Sequence, residues 1–199
     1  MPVKDRDLYG SAPDKAPVAL LLIDIINDLE FEGGENLIKY ALPMAEKIKA
    51  LRLRARRLGI PILYVNDNFG RWRSDFNALI QHCTNDSVRG RPVAELLRPE
   101  EDDYFVLKPM NSGFYATSLD LLLNHLGTRR LILTGMAADN CILFTAGDAY
   151  LRGYRLFIPT DCVASIDPAE NMRALKIMKK TLKADTRPSD QLDLEELMR

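Results

Sequence analysis

The chain predicts an α/β fold, a three-layer α/β/α domain around a mostly parallel, Rossmann-like central sheet. Three observations lead there. The run Val18-Ala-Leu-Leu-Leu-Ile23 is apolar without alternation, as a strand covered on both faces must be. Strand-like and helix-like segments then alternate through nearly the whole chain, the order that builds a parallel sheet with crossover helices. The 199 residues are 47% hydrophobic and 28% charged, enough apolar side chain for one sizeable core.

The elements follow in order. Residues 1–16 are polar, contain two prolines and read as an N-terminal arm, with residues 17–199 forming a single domain. After the first strand comes the acid Asp24, then a loop broken by Gly33 and Gly34. From Asn36 to Leu58, apolar residues at Leu37, Ile38, Ala41, Ala45, Ile48 and Leu51 make a helical stripe. Arg52, Arg54, Arg56 and Arg57 crowd its end, where the helix dipole favours cations, and read as a solvated helix terminus. Gly59 stops that helix, and Ile60–Val65 is the second strand. A long excursion, 66–103, leads to the strand Tyr104–Leu107. A helix over Ala116–Leu126 ends at Gly127, and Arg130–Thr134 is the next strand. Then come a helix over Asn140–Leu151, a strand over Tyr154–Pro159, and a helix opened by Pro168 and reaching Leu182. Lys183–Thr186 reads as a last short strand, and SDQLDLEELMR as a terminal helix that packs on the body or on a partner subunit.

Composition excludes several classes. Lys and Arg number 27 against 28 Asp and Glu, a net charge of −1, so no global field draws the chain to nucleic acid or an acidic membrane. Three scattered cysteines without a CxxC make neither a disulfide scaffold nor a zinc module, and they suit a reducing compartment. No hydrophobic leader and no run of membrane-spanning length is present. The expectation is a cytoplasmic protein that acts on a small molecule, with no nucleic-acid or membrane partner.

In open parallel sheets the ligand crevice lies at the C-terminal ends of the strands. Asp24 closes the first strand, Asn66, Asp67 and Asn68 the second, and Lys108 follows the third. After the fourth, TGMAADNC puts Cys141 at a helix start. Asp24, Lys108 and Cys141 therefore converge on one edge of the sheet. A helix N-terminus and a neighbouring ammonium lower a thiol's pKa toward the reactive thiolate. A carboxylate can take the thiol proton and hand it to a leaving amine, and backbone N–H groups at a helix start can receive an oxyanion. Each residue also has an ordinary reading, as a loop cap, an exposed lysine and a small buried hydrophobe.

These residues resemble the isochorismatase-like cysteine hydrolases, a family that includes nicotinamidases, carbamoylsarcosine amidohydrolases and ureidoacrylate amidohydrolases. The resemblance runs from about Val18 to Thr186. It rests on LLIDIINDL, on LKPMNSGFYATSLDLLL, and on LILTGMAADNCILFTAGDAYLRGY continuing into TDCVAS. It implies Asp24 as general base, Lys108 as catalytic lysine and Cys141 as nucleophile. It also implies a cis peptide at Met136–Ala137, with the Ala137 and Cys141 N–H groups as oxyanion hole. Homo-oligomers, dimers or tetramers, are the ordinary state of such proteins, and no cofactor is implied.

The departures narrow the activity. The commoner D-x-Q-N-D-F start reads D-I-I-N-D-L here. Nicotinamidases carry a metal-binding Asp with a His two residues on; here Asp67 is followed at that place by Phe69. His82 and His125 do not restore the spacing, so the expectation is no metal. Isochorismatases proper cleave a vinyl ether and typically lack the cysteine, so Cys141 points to acyl-enzyme chemistry on a C–N bond. A vinyl-ether hydrolase and a catalytically silent binding protein are the rival readings. Asn68, Phe69, Trp72, Phe114, Tyr115 and Met136 are expected to shape the substrate pocket, with Arg71 a further polar anchor. Trp72 and Phe76, at i and i+4, fit a short helix packed on the core equally well. Cys83 and Cys162 are read as packing residues, and Asp161 as orienting loop backbone.

Overall fold

In the computed structural model, which describes residues 15–68, 75–85 and 87–199, the strands pair in parallel in the order β3-β2-β1-β4-β5, with β6 beside the end of β4. The strands are β1 (Val18–Ile23), β2 (Ile62–Asp67), β3 (Tyr104–Lys108), β4 (Arg130–Met136), β5 (Arg155–Phe157) and β6 (Val163–Ala164). Every side chain of β1 is buried. Val18, Leu20 and Leu22 face one core, whereas Ala19, Leu21 and Ile23 face the other. That is the two-sided burial its unbroken apolar run requires. The chain has the three-layer α/β/α architecture.

One face carries α1 (Gly34–Arg57), α2 (Phe76–Asn85), α3 (Arg91–Leu96) and α7 (Leu194–Met198). The other carries α4 (Leu119–Leu126), α5 (Leu143–Leu151) and α6 (Pro168–Thr181). Asp167 caps α6 by accepting from the Ala169 N–H, and Pro168 sits at its first position. Among the described residues no helix is long and apolar enough to cross a membrane.

Several boundaries move, each for a local reason. The excursion 66–103 contains α2 and α3, where Phe76 stacks on Phe105 at 5.0 Å. Phe76 thus packs on the core, while Arg71 and Trp72 lie outside the described residues. The helix expected from Ala116 starts at Leu119, because Ala116 takes a left-handed φ of 52°. The helix expected from Asn140 begins as a π-helical turn, Ala138–Ile142, before α5. Lys183–Thr186 forms no strand but a single bridge, Asp185 to Phe157, and the short β6 takes the place beside β4.

The basic end of α1 is not a solvated terminus. Arg52 is buried and donates to the Tyr64 hydroxyl at 2.6 Å and to the Arg98 carbonyl at 2.9 Å. Arg54 donates to the Ser189 carbonyl at 2.8 Å, and Arg56 forks onto Asp103 at 2.6 and 2.7 Å. Only Arg57 of the four is exposed. The guanidiniums bind the segments that close the sheet's lower end, a use for which several fixed donors suit Arg. The chain end packs on this body through Leu192, Leu194 and Leu197. At the start, Ala16 is buried, and its N–H donates to Leu126.

Candidate active site

The upper edge of the sheet assembles the site one strand at a time. Asp24 ends β1 with a φ of 52°, a left-handed conformation that Asp tolerates better than most residues. Its N–H is tied to the Val65 carbonyl at 2.9 Å. Asp67 and Lys108 are the last residues of β2 and β3 and stand in register with one another. Gly135 has a φ of 116° and lies against β1 so closely that a Cβ would fall 2.0 Å from the Ile23 carbonyl oxygen. Only glycine permits that approach. The Met136–Ala137 peptide is cis, and the π turn that follows carries Cys141.

Lys108 stands at the centre, fully buried. Its Nζ lies 2.9 Å from Asp24 Oδ2, 3.4 Å from Asp67 Oδ2 and 3.5 Å from Cys141 Sγ. Asp24 Oδ1 accepts the Asp67 N–H at 2.7 Å, and Lys108 Nζ bridges the Asp24 carboxylate to the Cys141 sulfur. The structure thus brings Asp24, Lys108 and Cys141 into direct contact.

Burial pushes the Asp24 carboxyl above the ordinary carboxylate value, against the opposing pull of Lys108, the thiol and the Asp67 N–H. Burial works against the charge of Lys108, but Asp24, Cys141 and Asp67 outweigh it and hold it as an ammonium. Burial and the Asp24 charge push the Cys141 thiol up to about 12, with Lys108 opposing. This corrects the expectation of a lowered thiol pKa: the helix start and ammonium are present, but a buried carboxylate outweighs them. Burial and the facing acid thus both disfavour a standing thiolate at Cys141.

The turn bearing Cys141 is anchored from both sides. Ser165, buried just beyond β6, donates to Asp139 Oδ1 at 2.6 Å, and Asn111 Nδ2 donates to Asn140 Oδ1 at 2.6 Å. The N–H groups of Asn140 and Ile142 both donate to the Ala137 carbonyl at 3.1 Å. Sequence reasoning overlooked Asp67 as a partner of Lys108, which only the β2–β3 register reveals. It also overlooked Ser165, although TDCVAS had been singled out.

The pocket residues fare unevenly. Asn68 is buried, and its N–H donates to the Lys108 carbonyl at 3.0 Å. Tyr115 is exposed. Phe114 is buried in the core on the α4–α6 side, 5.9 Å from the Tyr154 ring and under the Arg152 guanidinium. Met136 likewise turns its side chain into the α1-side core. Both are drawn inward because apolar side chains gain more from burial in the core than from an exposed rim. Phe69 and Trp72 lie outside the described residues. Cys83 and Cys162 are fully buried. Asp161 accepts the Ser189 N–H and hydroxyl, both at 2.8 Å.

A doubly covered parallel sheet with a carboxylate, an ammonium and a cysteine at its upper edge is the framework of a hydrolase class, and the comparisons agree. Residues 18–187 match the Isochorismatase domain, and the chain belongs to that family. It is 41% identical over 178 residues to an uncharacterized isochorismatase family protein of Bacillus subtilis, YaaI, covering 89% of this chain and 97% of that one. It is 27% identical over 165 residues to the maleamate amidohydrolase of Pseudomonas putida, covering 76% and 75% of the two chains. The crystal structure of N-carbamoylsarcosine amidase from Thermoplasma acidophilum superposes with a TM-score of 0.68 at 29% identity, covering 88% of this chain and 98% of that one.

Proposed function

We propose that the protein is a metal-independent cysteine hydrolase that cleaves a C–N bond of a small carboxamide or of a carbamoyl or ureido compound. The observation that carries this reading is Lys108 Nζ held 2.9 Å from Asp24 and 3.5 Å from Cys141. Relatives named as an amidase and an amidohydrolase support C–N chemistry. Asp24 takes the Cys141 proton as Sγ bonds to the carbonyl carbon. The N–H groups of Ala137 and Cys141 receive the oxyanion, and Lys108 steadies the negative charge on Asp24. On collapse the C–N bond breaks, Asp24 returns the proton to the leaving nitrogen, and a thioester remains. Asp24 then deprotonates water for attack on the thioester, and the acid leaves as the thiol regains its proton.

The test is a screen of primary amides, carbamoyl and ureido compounds for ammonia or amine release, run on wild type, Cys141→Ala and Cys141→Ser. Turnover by wild type and loss by about a thousandfold or more in both variants is expected. Wild-type turnover in Cys141→Ala removes the nucleophile assignment. Pyruvate from isochorismate with no amide hydrolysed overturns the C–N reading.

The same reading includes a cytoplasmic homo-oligomer, a dimer or tetramer. Leu121, Phe144 and Leu151 on α4 and α5 support it, being 76, 56 and 81% exposed. Light scattering of the purified protein is expected to give a mass of two or four chains, and a monomer at micromolar concentration rejects it.

A further inference from the structure

Away from the catalytic edge, a cleft of about 810 Å³ opens between α6, the start of β5 and the segment 183–191. We propose that it binds a multiply phosphorylated small molecule. Arg155, Lys176, Lys179, Lys183 and Arg187 line it, against the single carboxylate of Asp185. In a chain whose net charge is −1, this is a strong local excess of cations.

The one acid does not cancel them. Asp185 is committed to Arg187, accepting from its Nε at 3.0 Å and meeting its Nη2 at 2.7 Å. Lys176 and Lys179 have no ion-pair partner among the described residues, and both are exposed. Arg155 is held over the Phe157 ring at 5.3 Å, which orders its guanidinium without neutralising it. A single carboxylate ligand engages one or two such groups. A chain of phosphates can engage four or five, with Arg as a fork and Lys as point charges.

The cleft also has a body-binding floor. Leu156, Leu175 and Ala184 are buried beneath it, and Thr186 and Gln191 add hydrogen-bonding groups at its side. Its volume falls within the range of about 300–1,000 Å³ usual for small-ligand pockets. A cleft of that size, open on one side, suits a compact ligand rather than the extended stripe that tracks a nucleic-acid backbone.

Calorimetric titration of the purified protein tests this, with ATP and inorganic tripolyphosphate as probes and adenosine as the uncharged control. Saturable binding of ATP or tripolyphosphate at one per chain is expected, with none of adenosine. The tighter of the two binders tells a nucleotide from an inorganic polyphosphate. The double variant Lys176→Glu, Lys179→Glu, altered on the exposed side of α6, is expected to lose about tenfold or more in affinity. Its unliganded hydrolytic turnover should stay at the wild-type level. No saturable binding of either probe, or undiminished binding by the double variant, overturns the proposal. Tighter binding of a single-stranded oligonucleotide than of ATP does so as well. Because the readout is binding, its failure is separate from any failure of the hydrolase reading.

Discussion

On the proposed mechanism Asp24 and Cys141 share one proton, and the pH profile should show which of them owns it. Asp24 is raised above its ordinary value of 3.8, chiefly by burial, so acid removes the base earlier than it would remove an exposed aspartate. kcat/KM should therefore fall on acidification with a midpoint above 3.8. On the alkaline side the thiol is pushed up to about 12 from 9.0, so kcat/KM should stay level as pH passes 9.0. A rise centred at 9.0 would instead report a free thiolate and sink the shared-proton reading. Lys108→Ala sharpens the test. It leaves Asp24 facing Asp67 without the ammonium between them, so the acid limb should move to higher pH and kcat fall by about a hundredfold or more. Thermal unfolding of the same variant separates a lost fold from a lost charge. The residue types of this site and their convergence were legible in sequence, since each follows a strand. The thiol's pKa was not, because the desolvation and the facing carboxylate exist only once three strands have been brought together.

The elements hold the site by close approach and by anchoring. β4 crosses β1 at Gly135, where any Cβ meets the Ile23 carbonyl. Gly135→Ala should cost about 3 kcal/mol in urea unfolding, by both steric contact and a φ of 116°. A cost within error of zero would mean that the two strands separate freely. On the other flank, Ser165→Ala removes the hydrogen bond to Asp139 at 2.6 Å, with an expected stability loss of about 1 kcal/mol. Its larger effect should be on kcat, because the turn bearing Cys141 loses an anchor while substrate binding does not. An unchanged kcat alongside the stability loss would leave Ser165 a purely structural group. Buried strands and the long helix were readable because apolar run and period speak for themselves. Three shorter features were not. The π turn depends on the chain leaving β4 at Ala137, β6 has only two residues, and α2 and α3 lie in a polar stretch whose partners, Phe105 on β3 and helix α1, are distant in sequence. Arg52, Arg54 and Arg56 misled for a related reason: a cation at a helix end fits solvent and dipole locally, and only the closed fold supplies Tyr64, Asp103 and Ser189 as acceptors.

Across the whole molecule, stability and chemistry occupy opposite ends of the sheet. The reacting groups sit where β1, β2, β3 and β4 finish, on side chains that are buried but polar. The lower end, where β4 begins and α1 finishes, is closed by the chain's last residues. Arg130 donates to the Leu197 carbonyl at 2.7 Å, and Arg54 holds the Ser189 carbonyl. Leu194 and Leu197 are 2 and 7% exposed against the α1-side core. A substitution there should act on folding without reaching the crevice. Leu194→Ala should cost about 2–4 kcal/mol, since it removes buried methyl groups and leaves a cavity that fixed neighbours cannot fill. Urea unfolding reads that loss, and turnover of the folded protein at low temperature reads the other half, with kcat/KM expected at the wild-type value. The sites are separated along parallel strands whose hydrogen bonding continues between them, so only a change large enough to open β1 from β4 should link the two readouts. If Leu194→Ala lowers kcat/KM while the protein remains folded, the two ends are coupled through the sheet and this division of labour is wrong.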